Sequence, residues 1–227
     1  MTATSTPTPV VQICSPLEDI TLEELGDPEL LKNPFLAPRP GMDDGHHGAD
    51  FAYWSRGQHT TMQGLPVHSV LNGTVAGVIH NRPPYGNAII IETALQQLPG
   101  SWLPLLPSPQ PTVAPAPNLY CPPSEVDYSA AGGQSLYLLY AHFDQPVTLS
   151  AGDQVSCGDV IGQVGTTGKS VNFHLHLETR LGPQGALFPE LTHYDTAASA
   201  EEMSAYCTWR VSGLFQMFDP MLLLWSR

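Results

Sequence analysis

Histidine is the commonest metal ligand and the usual acid–base side chain near neutral pH, and nine histidines stand in this acidic chain of 227 residues. Two clusters could do chemistry. In Gly45-His46-His47-Gly48-Ala49-Asp50, an extended backbone sends positions 46, 48 and 50 to one side. His46 and Asp50 then converge, and Gly48 leaves room between them for an ion. His47 has the opposite parity and reads as a supporting or exposed residue. In Phe173-His174-Leu175-His176-Leu177-Glu178, alternation puts Phe173, Leu175 and Leu177 on a core face and both histidines on the other. A further candidate, His142, lies in Leu139-Tyr140-Ala141-His142-Phe143 and shares the parity of Leu136, Leu138 and Tyr140. Two histidines and one carboxylate leave a tetrahedral zinc with one position open to water, which is the pattern of a catalytic ion. Nitrogen and oxygen ligands of this kind suit zinc over calcium or magnesium. No H-E-x-x-H pair occurs, so a metalloprotease helix of that type is excluded.

The elements that must position these groups read as short strands. Proline (23) and glycine (20) are abundant, and long helical patterns are few. PVHSVL, GTVAGVIH and NAIIIET are strand-like, and Asn72-Gly73 between the first two is a tight-turn signal. Strands resume with SLYLLYAHF, QVSCGDVIGQVG and VNFHLHLETR, and FDPMLLLW reads as an apolar strand-like end. Thr21-x-x-Glu24 is a capping box opening a short helix in TLEEL, cut off by Gly26 and Pro28. A Pro-rich stretch at about 95–134 is far longer than an ordinary connection. A second insertion, about 181–213, holds a helix capped by Ser199-x-x-Glu202, with Met203, Tyr206, Cys207 and Arg210 as its packing side. The expected organisation is a Thr/Pro-rich tether over 1–15, an N-terminal extension over 16–40, and one domain over 41–227 carrying both insertions.

A net charge of −13 and an isoelectric point of 4.8 argue against nucleic acid or an anionic membrane as partner. An acidic surface also gains little attraction to an acid-rich cell wall. No apolar run reaches the ~18 residues needed to span a bilayer, and the start, MTATSTPTPVVQ, has no signal-peptide pattern. The four cysteines contain no C-x-x-C pair, which excludes a zinc ribbon. Two disulfides are open to three connectivities. Cys121 and Cys207 lie in the insertions and Cys157 in a strand, so at least one bridge is expected to join an insertion to the core.

The pieces His46-x-Gly48-x-Asp50, Gly64-Leu65-Pro66-Val67, Asn72-Gly73-Thr74-Val75, Tyr85-Gly86-Asn87, Tyr140-Ala141-His142-Phe143, Gly152-Asp153-Gln154-Val155, Gly158-x-x-Ile161-Gly162, Gly165-x-x-Gly168-x-Ser170 and His174-Leu175-His176-Leu177-Glu178 occur in this order. Together they resemble the M23 metallopeptidases, the LytM- or lysostaphin-like endopeptidases. The resemblance covers about 41–180 and the closing Asp219-Pro220-Met221. It implies a mainly antiparallel β fold with long loop insertions, one or two short helices, and a groove across the sheet. It makes His46, Asp50 and His176 the zinc ligands, and His142 and His174 the catalytic histidines that act on water and on the developing oxyanion. Tyr85 could bind the oxyanion or simply pack. The implied reaction is zinc-dependent hydrolysis of peptide bonds, most often in peptidoglycan, outside the cytoplasm. The competing reading is a silent LytM-like module that binds or activates a cell-wall amidase.

His59, His68, His80 and His193 match no ligand position and read as ordinary histidines. The sequence departs from the family at Ser170-Val171-Asn172-Phe173, where a Gly-Pro turn is common, and in a lengthened 52–63 connection. The 95–134 insertion splits a hairpin beside the site and is expected to restrict access to the groove.

Overall fold

A computed structural model of the chain describes residues 12–108, 110–124, 126 and 132–225. Most of the expected tether lies outside these residues. Its last part is no tether: the Cys14 N–H donates to the Val70 carbonyl at 2.9 Å, and Cys14 is disulfide-bonded to Cys157.

Ten strands and two α-helices make up the described residues. The strands are β1 (Leu31–Asn33), β2 (Ala49–Phe51), β3 (Pro66–His68), β4 (Gly73–Arg82), β5 (Gly86–Ala94), β6 (Gln134–Phe143), β7 (Gln154–Val155), β8 (Val160–Gln163), β9 (Leu175–Pro183) and β10 (Gln216–Phe218). The helices are α1 (Ala200–Arg210) and α2 (Pro220–Leu224). One sheet runs β1-β2-β9-β6-β5-β4-β7, with β10 also on β9, and β3 pairs with β8 separately. Every pairing is antiparallel. This is the mainly β architecture that the motifs implied.

The runs NAIIIET and SLYLLYA carry apolar residues at both parities because both faces of the central strands are covered. Leu136, Leu138 and Tyr140 pack with Ile89 and Ile91 on one face, beneath Leu17, Leu25 and Leu30. Residues 16–40 are therefore part of the same core. Tyr137, Leu139, Ala141 and Ile90 pack on the other face against Phe188, Tyr206, Trp209 and Phe215. The second insertion thus supplies the lid of a second apolar layer. Burial of each such side chain is worth about 1.5–3 kcal/mol.

Four local expectations change. The TLEEL helix is a single 3₁₀ turn, Glu24–Gly26, although the Thr21 N–H does donate to Glu24 Oε2 at 2.8 Å. Asn72-Gly73 closes no hairpin, since β3 and β4 lie in different sheets. Gly73 is needed because a Cβ there would overlap the Glu92 carbonyl oxygen on β5. The apolar end is not a strand beyond Phe218: Asp219 accepts from the Met221 N–H at 2.9 Å and Pro220 opens α2. Finally, β9 runs to Pro183, so the second insertion begins after it. The Ser199–Glu202 capping box of α1 is present in both directions.

The disulfides are Cys14–Cys157 and Cys121–Cys207. Neither joins an insertion to the core. The first ties the N-terminal segment to the turn between β7 and β8, where Cys157 lies, and the second joins the two insertions to each other. The expectation failed because the 95–134 segment runs back over α1 rather than along the sheet: the Val113 N–H donates to the Ser212 carbonyl at 2.7 Å and the Ala116 N–H to Gly41 at 2.8 Å.

Candidate active site

β2 is three residues long, with Ala49 and Phe51 buried at 0% exposure and Asp50 on the opposite side. Its register places Asp50 directly opposite His176 on β9, and such cross-strand pairs bring side chains into contact. His176 Nδ1 lies 2.7 Å from Asp50 Oδ1. His46 sits before β2 in a bridge with Leu36, and its Nε2 is 3.1 Å from the same oxygen. Gly48 does not make room for an ion; a Cβ there would overlap the Leu177 carbonyl oxygen, so glycine lets this segment lie against β9.

His142 reaches the site against its expected parity. Leu136, Leu138 and Tyr140 face the first core layer with Leu175 and Leu177, whereas His176 on β9 and His174 just before it face the other side. An extra residue in β6 shifts the β5–β6 register between Asn87↔Phe143 and Ile89↔Tyr140, and His142 takes φ +67°. This bulge turns its side chain onto the face of His176, with ring centroids 5.7 Å apart. The His142 and His174 rings are 4.7 Å apart.

Each of the four imidazoles has one nitrogen tied to an acceptor, which leaves the other for the cleft. His46 Nδ1 is 3.0 Å from the Pro34 carbonyl, His142 Nδ1 2.8 Å from Thr167 O, and His174 Nδ1 2.9 Å from Asn172 O. His176 Nε2 is 3.2 Å from Glu178 Oε1. Anchored rings of this kind are what metal-ligating histidines require. Burial, with the neighbouring His176 and His174, pushes His142 down to about 3, and burial also depresses His174, so both are neutral bases at pH 7. Burial would likewise depress His176, but Asp50 and Glu178 on its two nitrogens outweigh it and raise it to about 9. Burial pushes the Asp50 carboxyl up, yet His176 and His46 hold it well below the carboxylate range.

His46, Asp50 and His176 offer three ligand atoms within 4.8 Å of one another. Asn33 Nδ2 donates to the other Asp50 oxygen at 3.0 Å. A two-imidazole, one-carboxylate set with every outer nitrogen anchored fits zinc. Cys121, His193 and Cys207 also converge, but both cysteine sulfurs are committed to a disulfide.

Beneath this set lies a network that the sequence reading did not assign. Glu178 is fully buried, and its Oε2 accepts from Arg180 Nε at 2.9 Å, Arg180 Nη2 at 2.7 Å and Trp209 Nε1 at 2.9 Å. Its Oε1 accepts from the Tyr85 hydroxyl at 2.8 Å. Burial pushes Glu178 up, but the charges of Arg180, Arg210 and His176 hold it well below its ordinary value. Arg210, at the end of α1, donates to Asp43 at 2.6 Å and to the Tyr85 oxygen at 3.1 Å. It therefore does more than pack. Tyr85 lines the cleft, but with its hydroxyl committed to Glu178 it offers no free donor to an oxyanion. His47 is buried, accepts from Arg180 Nη2 at 3.0 Å, and is pushed down to about 2 by burial and by Arg210 and Arg180. Glu178 was detectable in the sequence, since it shares the parity of His174 and His176. Arg210 and Asp43 are 167 residues apart and carried no such signal.

The site lies in a cleft of about 600 Å³, lined by both strands' histidines, Tyr85, Arg210 and residues of the 168–172 segment. No described residue of the 95–134 insertion lines it, so the expected gating by that insertion is not observed. His59 and His68 lie near Asp19 and Glu18, His80 near Glu190, and His193 against the Tyr120 carbonyl, all away from the cleft.

Fold and site together define a mainly β protein with a histidine–carboxylate pocket open to a cleft. Comparison with known proteins finds a partial match: residues 128–187, about a quarter of the chain, match the model of peptidase family M23. That stretch contains His142, His174 and His176, while His46 and Asp50 lie outside it. The resemblance read from the motifs thus holds over these residues. Among solved structures, the chain is similar to a zinc-containing peptidase from Vibrio cholerae (20% identity, TM-score 0.42, covering 74% of this chain and 36% of that one). It is also similar to the catalytic domain of the antimicrobial peptidase lysostaphin from Staphylococcus simulans (18%, 0.42, 86% and 90%). A third is the catalytic domain of the prophage-encoded M23 protein EnpA from Enterococcus faecalis (19%, 0.39, 76% and 95%). No curated protein matches the chain.

Proposed function

We propose that the protein is a zinc-dependent endopeptidase that hydrolyses peptide bonds in peptidoglycan stem or cross-link peptides outside the cytoplasm. The observation that carries this reading is the convergence of His46 Nε2, Asp50 Oδ1 and His176 Nδ1 beside two neutral histidines at the floor of an open cleft. His46, Asp50 and His176 would hold the ion, which supplies Lewis-acid polarisation of the scissile carbonyl and acidifies the attacking water. His142 and His174 keep Nδ1–H on backbone carbonyls and present Nε2 as a lone pair. One takes the proton of water as its oxygen adds to the carbonyl carbon. It returns that proton to the leaving nitrogen as the C–N bond breaks, and the second histidine, also neutral, takes up the remaining proton of the new carboxyl group. The two disulfides support an oxidising compartment. No helix among the described residues is long and apolar enough to cross a membrane.

The test is zymography on purified cell walls with zinc-loaded protein, with and without a chelator, beside elemental analysis. Clearing that depends on about one zinc per chain is expected. Protein that retains no added zinc, or zinc-loaded protein that releases no peptide, overturns the reading.

A further inference from the structure

The chain has two lysines, Lys32 and Lys169, among 21 acidic residues, and both line the cleft. They approach it from opposite sides. Lys32 is on β1, beyond the β2 strand that carries Asp50. Lys169 is in the segment before β9, where its backbone N–H donates to the Pro84 carbonyl in the β4–β5 turn at 2.8 Å. The sheet order β1-β2-β9-β6-β5-β4 therefore sets His176 between them.

Their partners differ from those of the arginines. Arg39, Arg56, Arg82, Arg180 and Arg210 each meet a carboxylate within the chain. Lys32 meets one carboxylate, Glu29, itself 87% exposed, at 3.1 Å, and donates to the Pro28 carbonyl at 3.3 Å. Lys169 is exposed and, among the described lysines and arginines, is the one with no carboxylate partner. A net charge of −13 repels anionic ligands elsewhere on the surface. A free ammonium at the cleft mouth then acts as a local counter-charge.

We propose that Lys169, assisted by Lys32, determines specificity by binding carboxylates that flank the scissile bond, so that the substrate is an acidic peptide. This rests on the peptidase reading above. Lys169 has the larger role because no internal acid competes for it, whereas a ligand must displace Glu29 from Lys32.

The experiment compares teichoic-acid-free peptidoglycan with the same material after its carboxylates have been converted to primary amides by carbodiimide and ammonia. Two readouts are taken with zinc-loaded protein: the rate of new amino-group release, and the fraction of protein that cosediments. Exposed ion pairs support a preference for the native material of up to about fivefold from Lys169 and less from Lys32. K169Q should remove most of the preference, K32Q/K169Q all of it, and K169E should reverse it. Raising the ionic strength from about 0.01 to 0.15 M shortens the screening length from ~30 to ~8 Å and should shrink the native preference. Equal rates and equal binding on both materials, or a preference that K32Q/K169Q leaves unmoved, overturn the inference while leaving the peptidase reading intact. Cutting of neither material overturns the peptidase reading, and the cosedimentation ratio then still decides whether the lysines bind carboxylates.

Discussion

Glu178→Gln isolates the role of the buried network, because it changes one charge and almost no volume. In the native protein every neighbour of the carboxylate is a donor: Arg180 and Trp209 on Oε2, and Tyr85, His176 and, at 3.5 Å, Arg210 on Oε1. A glutamine must point its NH₂ at one of these sets. Arg180 and the indole have no lone pair to offer, so the amide oxygen takes the Oε2 position and the NH₂ faces Tyr85 and His176. Tyr85 can turn to accept. His176 can accept at Nε2 only by giving up the proton there and carrying its remaining proton on Nδ1, the nitrogen that faces Asp50 and His46. Two effects follow from one substitution. Loss of the outer partner of a metal-ligating histidine typically lowers metal affinity by about 10–100-fold. Removing the acid of a fully buried ion pair with Arg180 costs about 3–5 kcal/mol, a large share of a typical ~5–15 kcal/mol fold stability. Zinc affinity is read by competition with a chromophoric chelator, and stability by denaturant unfolding of the zinc-free protein. A variant that folds with unchanged stability and binds zinc as tightly as the native protein would refute the view that Glu178 fixes the His176 tautomer.

His174 and His176 are two residues apart and should fail differently. His176→Ala, His46→Ala and Asp50→Ala should lose zinc and activity together, whereas His174→Ala and His142→Ala should keep zinc and lose about 10²–10⁴ in rate; metal content and turnover measured on all five decide it, and a metal-free His174→Ala beside a zinc-loaded His176→Ala reverses the assignment. The zinc-free protein should also lose stability between pH 6.5 and 5. His142 and His47 are held at about 3 and about 2, chiefly by burial, so the unfolded chain binds protons first as pH falls below ~6.5, and each costs up to about 1.4 kcal/mol per pH unit. His176, raised to about 9 against its burial, has the opposite sign: its contribution is full below ~6.5 and is lost as pH rises through about 9. A flat denaturant midpoint across pH 6.5 to 5 would contradict the burial of neutral His142 and His47.

What could be read from the sequence follows from which interactions are local. Period-two alternation located His174 and His176 on one strand face, because neither Leu175 nor Leu177 could leave the core. The same alternation failed at His142, since a bulge is an extra residue that changes parity without any change in composition. Gly48 was recognised as necessary but for the wrong reason: what fills the space beside it is a carbonyl of β9, a tertiary neighbour. Asn72-Gly73 has the composition of a hairpin turn, yet the close approach of Glu92 on β5, rather than a turn, is what requires glycine. Arg210 marks the limit of such reading. Its Asp43 partner lies far away in sequence, and a helix side with Met203, Tyr206 and Arg210 looks the same whether its arginine is solvated or buried. Burial of Arg210 is tolerable only because Asp43, Tyr85 and Glu178 meet it, from the segment before β2, the β4–β5 turn and β9, the strand that also carries His176. The insertion therefore depends on the site for its stability as much as the site depends on the insertion for its charge balance. That mutual dependence is a property of the assembled layers, and no window of sequence contains it.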